Sequence, residues 1–221
     1  RESHTFQTIH QMGLECMGEV DEAVQAEVLR LALASLAALD VPTVLEVSHM
    51  GFVTGLLDAL NVPAADRARL VELLCAKNEH ELRKAALHAG LDAAGADALC
   101  GLLTLHGPFG ATLTAAKATA ASPAQKAALA ELQALQNVLG ESGRGLQLDL
   151  SMADEAEYYN GIVFTGYVAG VPRAVLKGGQ YDYLMQRFTP GAKAIGFAMY
   201  LDELERLAAP LPPVQQQGGE K

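Results

Sequence analysis

The stretch Phe6-Gln7-Thr8-Ile9-His10-Gln11-Met12-Gly13-Leu14-Glu15-Cys16-Met17-Gly18 carries the first decision about the fold. Polar and apolar residues alternate through it in part, with Ile9, Gln11, Gly13 and Glu15 set against His10, Met12, Leu14 and Cys16. Period-two alternation marks a strand, and a strand here puts Gln11, Gly13 and Glu15 on one face. A helix is expected next, from about Asp21 to Leu39, with Val24, Val28, Leu31 and Ala32 at helical spacing. Val41 to Val47 is β-branched and bounded by Pro42, and reads as a second strand.

From about Gly51 to Glu141 Ala and Leu dominate and helix signals recur. Asn78-Glu79-His80-Glu81 fits a capping box, and Ser122-Pro123-Ala124-Gln125 offers an N-cap, a first-turn proline and an N3 glutamine. Breaks are expected near Asn61-Val62-Pro63, Gly90, Gly107-Pro108 and Ala121-Ser122. These helices form either an inserted subdomain or a layer packed on the sheet. Gly51 and Gly55 read as packing or turn glycines. β character then returns in Leu146 to Leu150, Tyr158 to Val168, Arg173 to Leu176 and Ala194 to Tyr200, with a helix from about Leu201 to Leu207. Gly178-Gly179 reads as a turn. Short connections imply an antiparallel sheet. The resulting division is an α+β core over 1–50 and 142–209, a helical insertion over 51–141 and a disordered tail over 210–221, rich in Pro, Gln and Gly.

Composition narrows the function. With 26 acidic residues against 16 basic ones and no Lys/Arg cluster in the sequence, the charge balance argues against a nucleic-acid partner, which a basic face would attract. Its apolar runs fall short of a membrane span, and Arg1-Glu2-Ser3-His4 opens no signal peptide. With no initiating Met, the sequence is expected to be an internal piece of a longer polypeptide. Cys16, Cys75 and Cys100, an odd number without a CxxC pair, read as reduced thiols of a cytoplasmic protein. The six histidines show no pair at metal spacing, so neither metal nor cofactor is expected.

Four segments, in order, resemble the signature blocks of class II histidyl-tRNA synthetases. Ile9 to Gly18 is similar to the end of motif 2, and Tyr158-Tyr159-Asn160-Gly161-Ile162-Val163-Phe164 to a histidine-specific block. Gly178-Gly179-Gln180-Tyr181-Asp182 resembles a Gly-Gly-Arg-Tyr-Asp turn, and Gly196 to Leu204 resembles motif 3. The resemblance implies a class II synthetase-like antiparallel sheet flanked by helices, lacking motif 1. It also implies that Gln11, Glu15, Tyr158 and Tyr159 line a histidine pocket. Such residues suit histidine chemically, since a carboxylate and an amide oxygen accept from ammonium and imidazole, and tyrosine adds an aromatic wall with a hydroxyl.

The departures from that pattern bear on chemistry. Amino-acid activation needs cations on ATP. In the ungapped comparison the pattern's arginines fall at Gln7 (with Thr5 two residues earlier), Asp154, Gln180 and Glu203. Carboxylates at two of these would repel a triphosphate by on the order of several kcal/mol in a poorly solvated site. Arg144, Arg173 and Arg187 are the nearby candidates to replace them.

The spelling Tyr158 to Tyr167 and Val175 to Asp182 more closely resembles the regulatory-subunit family of ATP phosphoribosyltransferase, which is synthetase-like but non-catalytic. That resemblance implies a short-form catalytic subunit as partner, histidine as ligand in the pocket or at a subunit interface, and self-association as a dimer. Two alternatives stand beside it: a histidyl-tRNA synthetase-related enzyme, and a stand-alone histidine-binding module.

Overall fold

The computed structural model describes residues 9–153 and 158–208. The expected tail from 210, and the positions Thr5, Gln7 and Asp154, lie outside the described residues. In chain order the first elements are β1 (Gln11–Gly18), α1 (Glu22–Ala37) and β2 (Thr43–His49). A helical stretch follows: α2 (Met50–Ala59), α3 (Ala64–Cys75), α4 (Glu79–His88), α5 (Ala93–Gly101), a short strand β3 (His106–Pro108), α6 (Phe109–Thr119) and α7 (Pro123–Leu139). The chain then returns to the sheet through β4 (Gln147–Asp149), β5 (Ile162–Val168), β6 (Leu176–Gln180), α8 (Asp182–Gln186), β7 (Lys193–Tyr200) and α9 (Leu201–Ala208).

All seven strands join one sheet in the order β1-β7-β6-β5-β2-β4-β3. Its neighbours are antiparallel except for β2 and β4, which run parallel. The sheet is therefore mainly antiparallel, as expected, with one parallel pairing. The reason is topological: parallel neighbours need a long crossover, and the helices from α2 to α7 provide it. Within that segment β3 joins the sheet, antiparallel to β4, where only a break was expected.

Local chemistry explains the helices. Asp21 Oδ1 accepts from the Val24 amide at 2.9 Å and starts α1. Asn78 caps α4 through the Glu81 amide at 3.2 Å. Ser122 and Gln125 form the expected reciprocal capping box at the start of α7. Gly55 is a packing glycine: a Cβ there would lie 2.8 Å from the Ala124 methyl, so it lets α2 approach α7.

Strand alternation sorts the sheet into two faces. One carries Leu45, Val47, Phe164, Leu176, Ile195 and Met199, all at most 3 % exposed, and is covered by α1, on which α7 packs in turn. The other carries Gln11, Gly13 and Glu15 from β1, Gly196 and Ala198 from β7, Lys177 and Gly179 from β6, and Thr165 and Glu46 beyond them. Gln11, Gly13 and Glu15 thus share one face, as the alternation predicts. Among the described residues β1 pairs only with β7, so it is an edge strand, and Met12 and Met17 stand exposed on it.

Gly178 and Gly179 lie inside β6, not in a turn. A Cβ on Gly178 would come within 2.4 Å of the Gly196 carbonyl oxygen and 2.6 Å of the Phe164 ring. Close packing is what requires glycine there, with Phe164 and Phe197 edge to face at 6.3 Å across the gap. The expected strand at Arg173 to Leu176 accordingly begins only at Leu176. Tyr158 and Tyr159 precede β5 instead of standing on it. The Asn160 amide is held by the Gln180 carbonyl and the Met50 amide by that of Gly161, which fixes the turn into the strand.

Candidate functional site

Small residues clear a shelf on the polar face at its β1 end. Gly13 and Ala198 face each other across β1 and β7, as do Glu15 and Gly196, with Gly179 next to Gly196 on β6. The Glu15 carboxylate lies over Gly196, where a Cβ would collide with its Oε2. Tyr159 lies over Gly179 in the same way, its ring 2.7 Å from where a Cβ would stand. Glycine here makes room for a carboxylate and an aromatic ring to lie flat on the sheet.

The Tyr181 hydroxyl donates to Glu15 Oε2. Burial first, then that carboxylate acceptor, pushes the Tyr181 phenol well above its ordinary value, so it stays a neutral donor. The Tyr158 ring stacks on Tyr181 at 5.3 Å, and Tyr159 meets Tyr158 edge-on at 4.7 Å. The structure thus brings Glu15, Tyr158 and Tyr159 together around Tyr181. Gln11 stands on the same face four residues along the strand, roughly 13 Å away at strand rise. Tyr181 is the site residue that sequence reasoning missed. Its signal was available, since strand alternation puts it on the same face as Gly179.

The next residues on either side of Tyr181 face the helices. Gln180 Nε2 donates to Asp182 Oδ2 at 2.7 Å, and Gln25 Nε2 from α1 donates to Gln180 Oε1 at 2.8 Å. Asp182 Oδ1 accepts from the Ala194 amide at 3.2 Å, while the Asp182 amide donates to Asn160 Oδ1 at 2.6 Å. This buried network ties α1, the turn ahead of β5, β6 and β7 to one carboxylate. Gln180 can accept and donate within it, which an arginine cannot do.

Glu203 opens α9 and is paired with Arg173 at 3.4 Å and Arg206 at 3.0 Å. Arg144 pairs with Glu141 at 2.8 Å. Among the described residues no group of three or more His, Cys, Asp or Glu is placed to hold a metal ion, and no helix is long and apolar enough to cross a membrane.

The family model described as Histidyl-tRNA synthetase matches residues 1–204. An ATP phosphoribosyltransferase regulatory subunit of Ralstonia pickettii is 34% identical over 88% of the chain, which covers 49% of that relative. One of Anaeromyxobacter dehalogenans is 35% identical over 88% of the chain, covering 56% of the relative. The chain thus spans about half the length of the curated relatives it matches. Among solved structures, an ATP phosphoribosyltransferase regulatory subunit/histidyl-tRNA synthetase from Bacillus halodurans superposes with a TM-score of 0.81 at 29% identity, over 90% of this chain and 53% of that one.

Proposed function

The chain belongs to the histidyl-tRNA synthetase family, and from that premise we propose that it is the synthetase-like part of a regulatory subunit of ATP phosphoribosyltransferase. In this reading it binds and activates a short catalytic subunit and contributes to feedback inhibition by histidine. It self-associates as a dimer and does not charge tRNA.

The observation that carries the reading is what has become of the arginine positions. Gln180 is committed to the buried amide–carboxylate network, and Glu203 is held between Arg173 and Arg206. Neither can offer a cation to ATP, and Arg173, a candidate replacement, is engaged by Glu203. Gln7 and Asp154 extend the pattern in sequence. The names carried by the curated relatives support the same role. Gln11, Glu15, Tyr158 and Tyr159 are proposed to recognise histidine, with Glu15 accepting from its cationic groups.

Mixing the protein with a short catalytic subunit should raise phosphoribosyl transfer and make it sensitive to histidine. No change in either sinks the reading. A second reading, an aminoacylating enzyme, draws on the double name of the Bacillus halodurans relative and on the kept Glu15 corner. Histidine-dependent pyrophosphate exchange separates the two: none is expected, and measurable exchange favours the enzyme.

A further inference from the structure

The polar face of the sheet holds a second recess, four strand spacings from β1, or roughly 19 Å from Glu15. It is a cleft of about 360 Å³ whose floor is formed by β2, β5 and β6, walled by the C-terminal end of α3 and by Ser151-Met152. That volume lies within the range of small-molecule pockets.

Its polar groups divide into those already engaged and those not. Asp149 is fully occupied: Lys77 Nζ approaches Oδ2 at 2.6 Å, and the amide and hydroxyl of Ser151 donate to Oδ1 at 2.9 and 2.6 Å. Lys77 holds this pair from a left-handed backbone, at φ 52°, just past the end of α3. Lys177 at the rim has contacts of its own. Glu46, by contrast, makes no hydrogen bond or ion pair among the described residues. The same holds for the hydroxyls of Thr165, its direct cross-strand partner, and of Tyr167 on the same face. Thr165 is only 8 % exposed, yet it lines the cleft. A nearly buried hydroxyl beside an unpaired, half-buried carboxyl leaves acceptor capacity that the protein itself does not use.

We propose that this cleft binds a small organic cation, a compound bearing an ammonium, guanidinium or imidazolium group, whose N–H donors are accepted by Glu46 with Thr165 and Tyr167 completing the shell. The sign of the ligand follows from the engaged partners. Lys77 is committed to Asp149, whereas the Glu46 carboxylate makes no hydrogen bond or ion pair among the described residues. Burial first, then the neighbouring Asp149 charge, raises Glu46 above the ordinary carboxylate range, while Lys77 and His106 oppose the shift. A bound cation relieves that cost.

Calorimetry on the isolated protein, with no catalytic subunit present, tests this independently of the regulatory reading. Agmatine and histamine are the probes, and acetate is the control. Agmatine is expected to bind, at least tenfold more weakly to Glu46→Gln and a few-fold more weakly to Thr165→Val, with Glu205→Gln on the exposed side of α9 unchanged. Its affinity should rise with pH through the window above the ordinary Glu value, as Glu46 ionises among Asp149, Lys77, His106, Tyr167 and Lys177. Far-ultraviolet circular dichroism checks each variant's fold, and Thr165→Val serves if Glu46→Gln does not fold. Absence of binding by both cations, equal binding by the folded variants, tighter binding of acetate, or loss of binding in Glu205→Gln would overturn the proposal.

Discussion

Residues 179 to 182 alternate between two surroundings, and the two sides of β6 behave differently. Gly179 and Tyr181 face the polar shelf, where Tyr159 covers the glycine and Glu15 takes the tyrosine hydroxyl. Gln180 and Asp182 face α1, where amides and a backbone N–H converge on one carboxylate. On the helix side each partner is buried, so losing one strands another away from water. On the shelf Glu15 is exposed, and water can replace what is removed. The same four residues therefore carry the foundation on one side and the candidate site on the other. Substitutions on the first should be read out in stability, and those on the second in titration and binding.

The largest effect is expected from Asp182→Ala. It leaves Gln180 Nε2 and the Ala194 amide without an acceptor in a buried place. With each stranded donor costing about 1–3 kcal/mol, urea denaturation should show a loss of about 4 kcal/mol. Asp182→Asn keeps one acceptor oxygen and should lose about half as much. A loss below about 1 kcal/mol for the alanine variant would break the contrast between the two sides.

Gly178→Ala comes next. Its Cβ would enter the helix-covered face against the Gly196 carbonyl, the Phe197 Cβ and the Phe164 ring. A backbone oxygen cannot swing aside as a side-chain tip can, so β6 and β7 must separate. Overpacking of this kind costs about 1–3 kcal/mol, and a fall of about 3 kcal/mol in unfolding free energy is expected. Little change would mean that the two strands yield more easily than their packing implies.

Much of this arrangement was legible in the sequence. The alternation in Gln11-Met12-Gly13-Leu14-Glu15 gave the correct shared face because edge strand or not, side chains must alternate. The Ser122 box and the Asn78 cap were readable because they close hydrogen bonds within three residues. What stayed hidden depends on neighbours distant in the chain. Gly178-Gly179 spells a turn by composition, and only Phe164, Phe197 and Tyr159 reveal why glycine is needed in a strand. Tyr158 and Tyr159 follow the β-rich pattern of Ile162 to Val168, but Asn160 and Gly161 are bonded to Gln180 and Met50 and turn the chain first. Gln180 was identified as a departure from the family pattern, while its engagement with Gln25 lies 155 residues away along the chain. Glu46 and Thr165 carry no sequence signal of a cleft, because it is β4 and α3, distant in the chain, that place the Asp149–Lys77 pair beside them.

The smallest effect on stability, and the sharpest test of the shelf side, comes from the Tyr181–Glu15 bond. Tyr181→Phe removes one hydroxyl from an exposed carboxylate that water re-solvates, so the loss should stay at or below about 1 kcal/mol. The phenol titration is more telling. Tyr181 is raised by burial first and by Glu15 second, so Glu15→Gln should bring its midpoint down only part of the way, because burial remains. In linkage terms, a raised folded value contributes stability that is complete below the ordinary tyrosine value of 10.0 and lost as pH rises beyond it. The wild-type protein should therefore lose stability more steeply above that pH than Tyr181→Phe does. Ultraviolet difference titration, with Tyr181→Phe to assign the signal, reads both effects. If Glu15→Gln leaves the high-pH tyrosine where it was, burial alone holds the phenol neutral, and Glu15 is free to serve a ligand with both of its oxygens.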